Sequence, residues 1–588
     1  MIKTACGLDC GDACEITVNA EEYLKLKANT NNGTLCSLLN KDMFEAKRLE
    51  TPTIDGKKVT IEEALDATAE ALSKNSLLWR GSGNFGVMQE ITNLLFEKIG
   101  GSLTKGSLCD GAGDAGIIEG RGINRTLPIE QIEKAEVIIV WGRNISTTNS
   151  HLIPYLKNKK IVVIDPIKTS LARKANLFIQ IKPRSDIYFI LLLARLIFME
   201  DTENIKWLDK FAPEYEEFYD FTRTFRIKAM LEYLELDLNI FGEVLEYMKA
   251  DKVVILVGNG VQKYMIGHSV LWAIDSLASI LGLFGKEGCG VGYLGNSKLG
   301  FINPFDIKCN KVSKARTPFN NFKTVLIQGG NPAESMPNSN EVIDNLKNVE
   351  NLIYFGLYEN ETSKRARIVI PAKNFFEKDD VRLNYGDYRV TKMNKAIESS
   401  FGISEYQFTK EMYDRLGFNV LKDENFYINN WLNQCDKIDG KYRSPAYQEL
   451  PYSNGFGKGE DEFIFIDDFD DDFISLKQLR KYRKVNKDKR EKIEYWLITP
   501  KSKHSMNTQF KRDNIVSLNP KTGYEDGEEI VISSKWGEHK FIVKNSFDIR
   551  DDSIVIKSNA IGVNYLTPPI ISEEGENACY QEVKVNIV

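Results

Sequence analysis

Four cysteines crowd the first 36 residues: Cys6, Cys10 and Cys14, each separated from the next by three residues, and then Cys36. A cubane iron–sulfur cluster needs four thiolates converging on a site a few ångströms across, which one wrapping loop and one returning segment can supply. Gly7 and Gly11 let the backbone fold tightly around such a group. Zinc sites usually show two Cys-x2-Cys pairs or cysteine with histidine, and this region holds no histidine. A dense N-terminal cluster in a reducing compartment binds metal rather than forming disulfides. The spacing therefore predicts one [4Fe–4S] cluster on Cys6, Cys10, Cys14 and Cys36. Cys109 is the next informative residue, inside Gly106-Ser-Leu-Cys-Asp-Gly-Ala-Gly-Asp-Ala-Gly116, where little side-chain bulk would block a large cofactor. The plainer alternative for it is a small buried thiol in a turn, the reading that also fits Cys289, Cys309, Cys435 and Cys579.

The elements that must position these residues read as several domains. The length of 588 residues exceeds one ordinary core. Thr60 to Ser73 reads as a helix with Ile61, Ala64, Leu65, Thr68 and Leu72 on one face. Val137–Val140, Ile161–Ile164 and Val253–Val257 are continuous apolar runs, each followed within two residues by Gly or Asp, as expected of buried parallel strands. Val325–Ile327 and Leu352–Phe355 continue that grammar. The expected organisation is an α/β protein: a cluster-binding unit over 1–52, a first doubly wound region over 53–300, a second over 301–450, a charged surface linker over 451–490, and a β-barrel over 491–588. A net charge of -6 gives no basic face for nucleic acid. The most apolar run, Ile187 to Met199, is interrupted by Arg195 and too short to span a bilayer. The opening residues lack a signal peptide or twin-arginine leader, so a cytoplasmic location is expected.

Ala5-Cys-Gly-Leu-Asp-Cys-Gly-Asp-Ala-Cys14 resembles the N-terminal signature of the dimethyl sulfoxide reductase family of molybdopterin enzymes. The resemblance continues almost to the C-terminus. Trp141-Gly142-Arg-Asn144 is similar to a family loop beside the dinucleotide, Asp165-Pro166 to the next strand and turn, and Lys182-Pro-Arg-Ser-Asp186 to a segment whose acid binds guanine. Gly329-Gly330-Asn331-Pro332 and Glu361-Thr362 are similar to the second dinucleotide site. Asn507, Gln509 and Asn564 look like parts of the family's C-terminal pterin-binding barrel, of double-psi type. The resemblance implies a bis-molybdopterin guanine dinucleotide with Mo or W, Cys109 as the metal's protein ligand (Asp110 as the alternative), and His151 either near cofactor or as a surface or capping residue.

Two departures alter these expectations. Relatives often place a lysine between cluster and pterin shortly after the fourth cysteine; here Ser37-Leu-Leu39 follows, and either Lys41 substitutes or the electron relay is altered. Formate dehydrogenases usually carry a histidine directly after the metal ligand, a position held here by Asp110, which argues against formate. The implied activity is oxidation or reduction of an oxo- or sulfur-containing small molecule, with electrons relayed to an iron–sulfur, ferredoxin or flavin partner. Two rivals remain at this stage. One is a metal-free electron-transfer or scaffold subunit related to the large iron–sulfur subunit of complex I. The other is a formate dehydrogenase-like enzyme or non-redox hydratase on the same cofactor.

Overall fold

The computed structural model describes residues 1–19, 25–29, 33–457, 462–471, 474, 478 and 494–588. The expected helix forms over Ile61–Ala71, and its start is fixed by a capping box: Thr60 accepts from the Glu63 N–H while Glu63 reaches back to the Thr60 N–H. The apolar runs become strands Val137–Trp141, Lys160–Ile164 and Val253–Val257, buried because helices cover both faces. With Leu177–Ile179 and Gly290–Gly292 they form a five-stranded sheet, parallel throughout. Helices Asp186–Met199 and Gly267–Ile280 contribute to the largest apolar core, which also takes in strands of this sheet.

The second sheet is eight-stranded and interleaved with the first in sequence. Its centre runs Ser102–Lys105, Ser76–Arg80, Thr324–Gln328, Asn351–Gly356, Ile368–Pro371, all parallel, with Asn310–Ser313 and the hairpin Thr53–Ile54/Lys57–Lys58 at its edges. The expected boundary at residue 300 is therefore corrected. Residues 53–105 belong to the same sheet as residues 310–371, and the five-stranded sheet is inserted between them. Apolar runs mark strands, but a parallel strand finds its neighbour through a crossover of any length, so sequence order does not give sheet membership.

A six-stranded barrel forms at the C-terminal end of the described residues. It closes through strands Tyr495–Ile498, Ser553–Ile556, Ile515–Leu518, Glu538–Asn545, Glu529–Ser533 and Lys584–Ile587, with both parallel and antiparallel pairs. At the N-terminus, Ile2–Ala5, Glu15–Asn19 and Lys25–Ala28 form a small antiparallel sheet. It packs against Phe375, Phe376 and Met393 beside a second antiparallel sheet that includes Asp380–Leu383 and Arg389–Met393. The expected surface linker needs correction as well. Its acidic stretch buries Phe463, Phe465, Ile466 and Phe469 in the main core, because aromatic residues alternate with the acids and satisfy an apolar groove. The basic stretch Arg480 to Arg490 lies outside the described residues. Among the described residues no helix is long and apolar enough to cross a membrane.

Candidate functional site

Each parallel sheet ends in a row of tight loops at the carboxyl ends of its strands, the place where extended cofactors bind open α/β sheets. In the five-stranded sheet these loops are Gly142–Asn144, Asp165–Thr169 and Gly258–Val261; in the eight-stranded sheet they are Gly81–Asn84, Gly329–Asn331 and Leu357–Glu361. Gly142 has φ +56°, and a Cβ on Gly258 would overlap the Gly142 carbonyl, so only glycine lets these two loops nest. A cavity of about 970 Å³ runs along the first set and one of about 1780 Å³ along the second. The two share a wall made by Asp9, Cys109, Asn259, Lys263, Tyr385 and Lys501 among others. Barrel residues close both from the opposite side.

Cys109 stands where the cavities meet. Its backbone is pinned: its N–H donates to Ser107 Oγ at 2.9 Å, and its carbonyl accepts from the Gln262 amide. Its Sγ accepts from Asn259 Nδ2 at 2.9 Å. Helix Gly111–Arg121 begins two residues later and docks along Gly267–Ile280. A Cβ on Gly116 would overlap the carbonyl of His268, and at the far end Arg121 Nε donates to Asp275 Oδ2 at 2.7 Å, both side chains fully buried. Cys109 is exposed to the cavity, and desolvation by the surrounding walls, reinforced by Asp110, pushes the thiol up to about 11. Burial also pushes Asp110 upward, against its hydrogen bond from Ser107 Oγ at 2.8 Å. Lys263 and Lys314 border the same space, and burial lowers each to about 8.

The four N-terminal cysteines line the inner end of the smaller cavity. Cys6 closes the Cys6–Cys14 loop by donating its N–H to the Cys14 carbonyl at 2.9 Å, and Cys36 leads into the short helical turn Leu38–Asp42. Burial raises the thiols of Cys6, Cys10 and Cys14, Cys10 to about 12, and repulsion among the cysteines adds to each shift. All four cysteines line the same cavity. Among the described residues no group of three or more Cys, His, Asp or Glu closes tightly enough for a single metal ion. Convergence around a shared cavity suits a polynuclear cluster with sulfur ligands.

The other expected residues fall into two groups. Gly142, Asn144, Asp165 and Asp186 line the smaller cavity; Gly329, Gly330, Asn331, Glu361, Asn507, Gln509 and Asn564 line the larger. Burial pushes Asp165 to about 7 and Asp186 to about 6, the Asp186 charge adding to the Asp165 shift. Trp141 and Thr362 border neither cavity, a correction to their expected contact with the dinucleotides. Trp141 is fully buried and donates its indole N–H to Asp186 Oδ1 at 2.7 Å; Thr362 donates its hydroxyl to Asn331 Oδ1 at 2.9 Å. Both orient a lining residue from behind, because their bulk fills the core under the loops. His151 sits with Nε2 3.4 Å from Cys14 Sγ, beside the cysteine loop. Lys41 has a side chain 62% exposed that pairs with Glu45 at 3.6 Å, outside both cavities. Sequence reasoning missed Asn259, Lys263 and Lys501. The first was legible, since Gly258-Asn259-Gly260 follows a strand just as Gly142-Arg-Asn144 does; the lysines carried no local signal. Asn144 Oδ1, Asn259 Oδ1 and Thr499 Oγ1 are buried without a hydrogen-bond partner among the described residues while lining these cavities, as suits polar walls made for a polar cofactor.

Fold and site together define an α/β protein with two clefts for an extended cofactor and a thiol where they meet. Residues 48–413, more than half of the chain, match the model for molybdopterin oxidoreductase, and the chain belongs to that family. The probable oxidoreductase YoaE of Bacillus subtilis (strain 168) is 25% identical over 447 residues, 68% of this chain and 66% of the relative, so this chain spans about two thirds of that relative's length. The F420-dependent formate dehydrogenase subunit alpha of Methanocaldococcus jannaschii is 23% identical over 515 residues, 76% of this chain and 74% of the relative. Among solved structures, acetylene hydratase from Pelobacter acetylenicus superimposes with a TM-score of 0.74 over 100% of both chains at 14% identity, a shared fold.

Proposed function

We propose that this chain is the catalytic subunit of a molybdenum- or tungsten-dependent oxidoreductase holding a bis-molybdopterin guanine dinucleotide and one [4Fe–4S] cluster, and that it oxidises or reduces an oxo- or sulfur-containing small molecule. One observation carries the reading: two cavities along two sheet edges meet at Cys109, and one of them reaches the four N-terminal cysteines. When bound, the metal supplies the change of oxidation state.

The chain's own residues position and tune. Asp165 and Asp186 accept from a guanine at the outer end of the smaller cavity. Gly329, Gly330 and Asn331, with Glu361, border the other dinucleotide, and Asn507, Gln509 and Asn564 close over it from the barrel. Cys109 offers a soft thiolate, a donor suited to a metal that already carries pterin sulfurs. The Asn259 amide fixes the direction of that sulfur, and Lys263 and Lys501 bring two amines to the junction. A [4Fe–4S] cluster held by Cys6, Cys10, Cys14 and Cys36 would supply one-electron transfer to an iron–sulfur, ferredoxin or flavin partner. The mixed parallel pairing of the barrel supports the double-psi reading.

Metal and pterin analysis of anaerobically purified protein tests the proposal. The expected result is about four irons per chain, as a cubane held by four thiolates requires, together with molybdenum or tungsten and extractable pterin. Iron without pterin and metal would make the chain an electron-transfer scaffold. Full cofactor with turnover that consumes no electrons would make it a hydratase.

A further inference from the structure

We infer that Arg382 is the built-in countercharge of the N-terminal cluster and holds its reduction potential up. The inference rests on the cluster reading above. Arg382 lies on the strand Asp380–Leu383, two residues before Asn384, and is 1% exposed. Its Nη2 donates to the carbonyl of Leu8 at 3.2 Å and to that of Cys10 at 3.1 Å, both within the cysteine loop. Its Nη1 donates to the Leu383 carbonyl at 3.3 Å, and its Nε is buried without an acceptor among the described residues. Phe85 covers the guanidinium at 4.2 Å from the ring centroid, and Tyr385 stands at 5.9 Å.

Among the described residues no carboxylate stands within ion-pair distance of Arg382; buried Arg143 likewise has none and donates to Asn149, whereas buried Arg121 and Arg184 are each paired with acids. A buried guanidinium without an anion is strongly unfavourable, and carbonyl oxygens offset only part of its desolvation. The anion it lacks is available next to it. Four ionised cysteines around a cubane leave a net negative charge that grows when one electron enters. Arg382 compensates that charge in both states and more strongly in the reduced one, which raises the potential.

Other charged groups around the loop are already engaged. Arg389 donates to the Asp12 carbonyl at 2.8 Å but is ion-paired with Asp387. The Asp12 carboxylate accepts from Asn149, which in turn takes a hydrogen bond from Arg143 at 2.7 Å. Asp9 accepts from Ser82 at 2.6 Å and from Tyr385 at 3.2 Å. His151 contacts Cys14 on another side of the loop. Asp9 and Asp12, the acids within the cysteine loop, would lower the potential, and Arg382, bonded to the loop's own carbonyls and without an acid partner among the described residues, acts with the opposite sign.

The test is an EPR-monitored redox titration of the anaerobically purified, full-length holoenzyme, with iron content measured on each sample. Arg382→Gln should keep its iron and shift the cluster midpoint to a lower potential, while Arg382→Lys, which keeps the charge, stays near wild type. Loss of iron in Arg382→Gln with retention in Arg382→Lys would also support the countercharge, since the charge would then be needed for assembly. Equal midpoints in wild type and a fully loaded Arg382→Gln would overturn the inference, as would failure of both variants to accumulate as folded protein, which would make Arg382 a packing residue. Wild type that binds no iron would instead sink the cluster reading itself.

Discussion

At the scale of the residue, the chemistry concentrates in side chains whose ordinary protonation has been displaced by burial. Cys109 faces both cavities with its thiol held high, so it binds metal only by giving up a proton that the site otherwise retains. Cys109→Ser is expected to keep the cluster and the pterin, to reduce turnover at least a hundredfold, on the order of about 2.7 kcal/mol or more of transition-state stabilisation, and to lower the sulfur count in X-ray absorption at the metal edge. An unchanged sulfur count would move the assignment to Asp110. Asp165 and Asp186 make a pH prediction. Their raised values mean that the ligand-free folded chain holds protons the unfolded chain would release, so these groups stabilise the fold least as pH climbs from about 4 towards 7. A guanine that donates to carboxylates favours the ionised form, so binding must strengthen over the same window. Calorimetry with guanosine diphosphate on cofactor-free protein should show affinity falling up to about tenfold per pH unit below about 6. Asp186→Asn, which cannot ionise, should flatten that profile; a wild-type affinity independent of pH would remove both aspartates from the guanine site.

At the scale of the element, helix Gly111–Arg121 decides where Cys109 points. Its first turn follows Asp110 directly, its small residues let it press against Gly267–Ile280, and the Arg121–Asp275 pair fixes its end. Removing one partner of a buried ion pair typically costs about 3–5 kcal/mol, because the other is left charged and unsolvated. Even with Arg121 beside it, burial pushes Asp275 to about 6. Arg121→Met should therefore lower the urea midpoint strongly at pH 8 and less at about pH 5, where Asp275 takes up a proton and ceases to be a buried charge. A loss of stability equal at both pH values would show that the aromatic contacts of Arg121 with Phe284 and Tyr452 carry its contribution instead.

At the scale of the molecule, the cavities are walls contributed by different units: two sheet edges, the N-terminal loop and the barrel. A cofactor that spans them ties those units together, and anything that binds only the folded state stabilises it by mass action, about 4 kcal/mol at a thousandfold excess over Kd. Protein made in a host unable to synthesise pterin should unfold several degrees below the loaded protein in differential scanning calorimetry, with the barrel transition separating from the rest. Coincident transitions for the two preparations would show that the cofactor does not bridge the units.

What the sequence by itself determined is local. Spacing named the four cysteines, apolar runs located Val137–Trp141, Lys160–Ile164 and Val253–Val257, and an apolar face located Ile61–Ala71, because periodicity and loop glycines act over a few residues. Most of the residues that the family motifs marked line the clefts. Tertiary structure alone decided which strands share a sheet, sending residues 53–105 to join residues 310–371. It alone set Trp141 and Thr362 behind the clefts rather than in them, drew Phe463–Phe469 into the core, and brought Lys263 and Lys501 to Cys109 and Arg382 to the cysteine loop. Each of those outcomes depends on residues hundreds of positions apart competing for the same buried volume and the same charge balance, and no short-range pattern in a chain records such a competition.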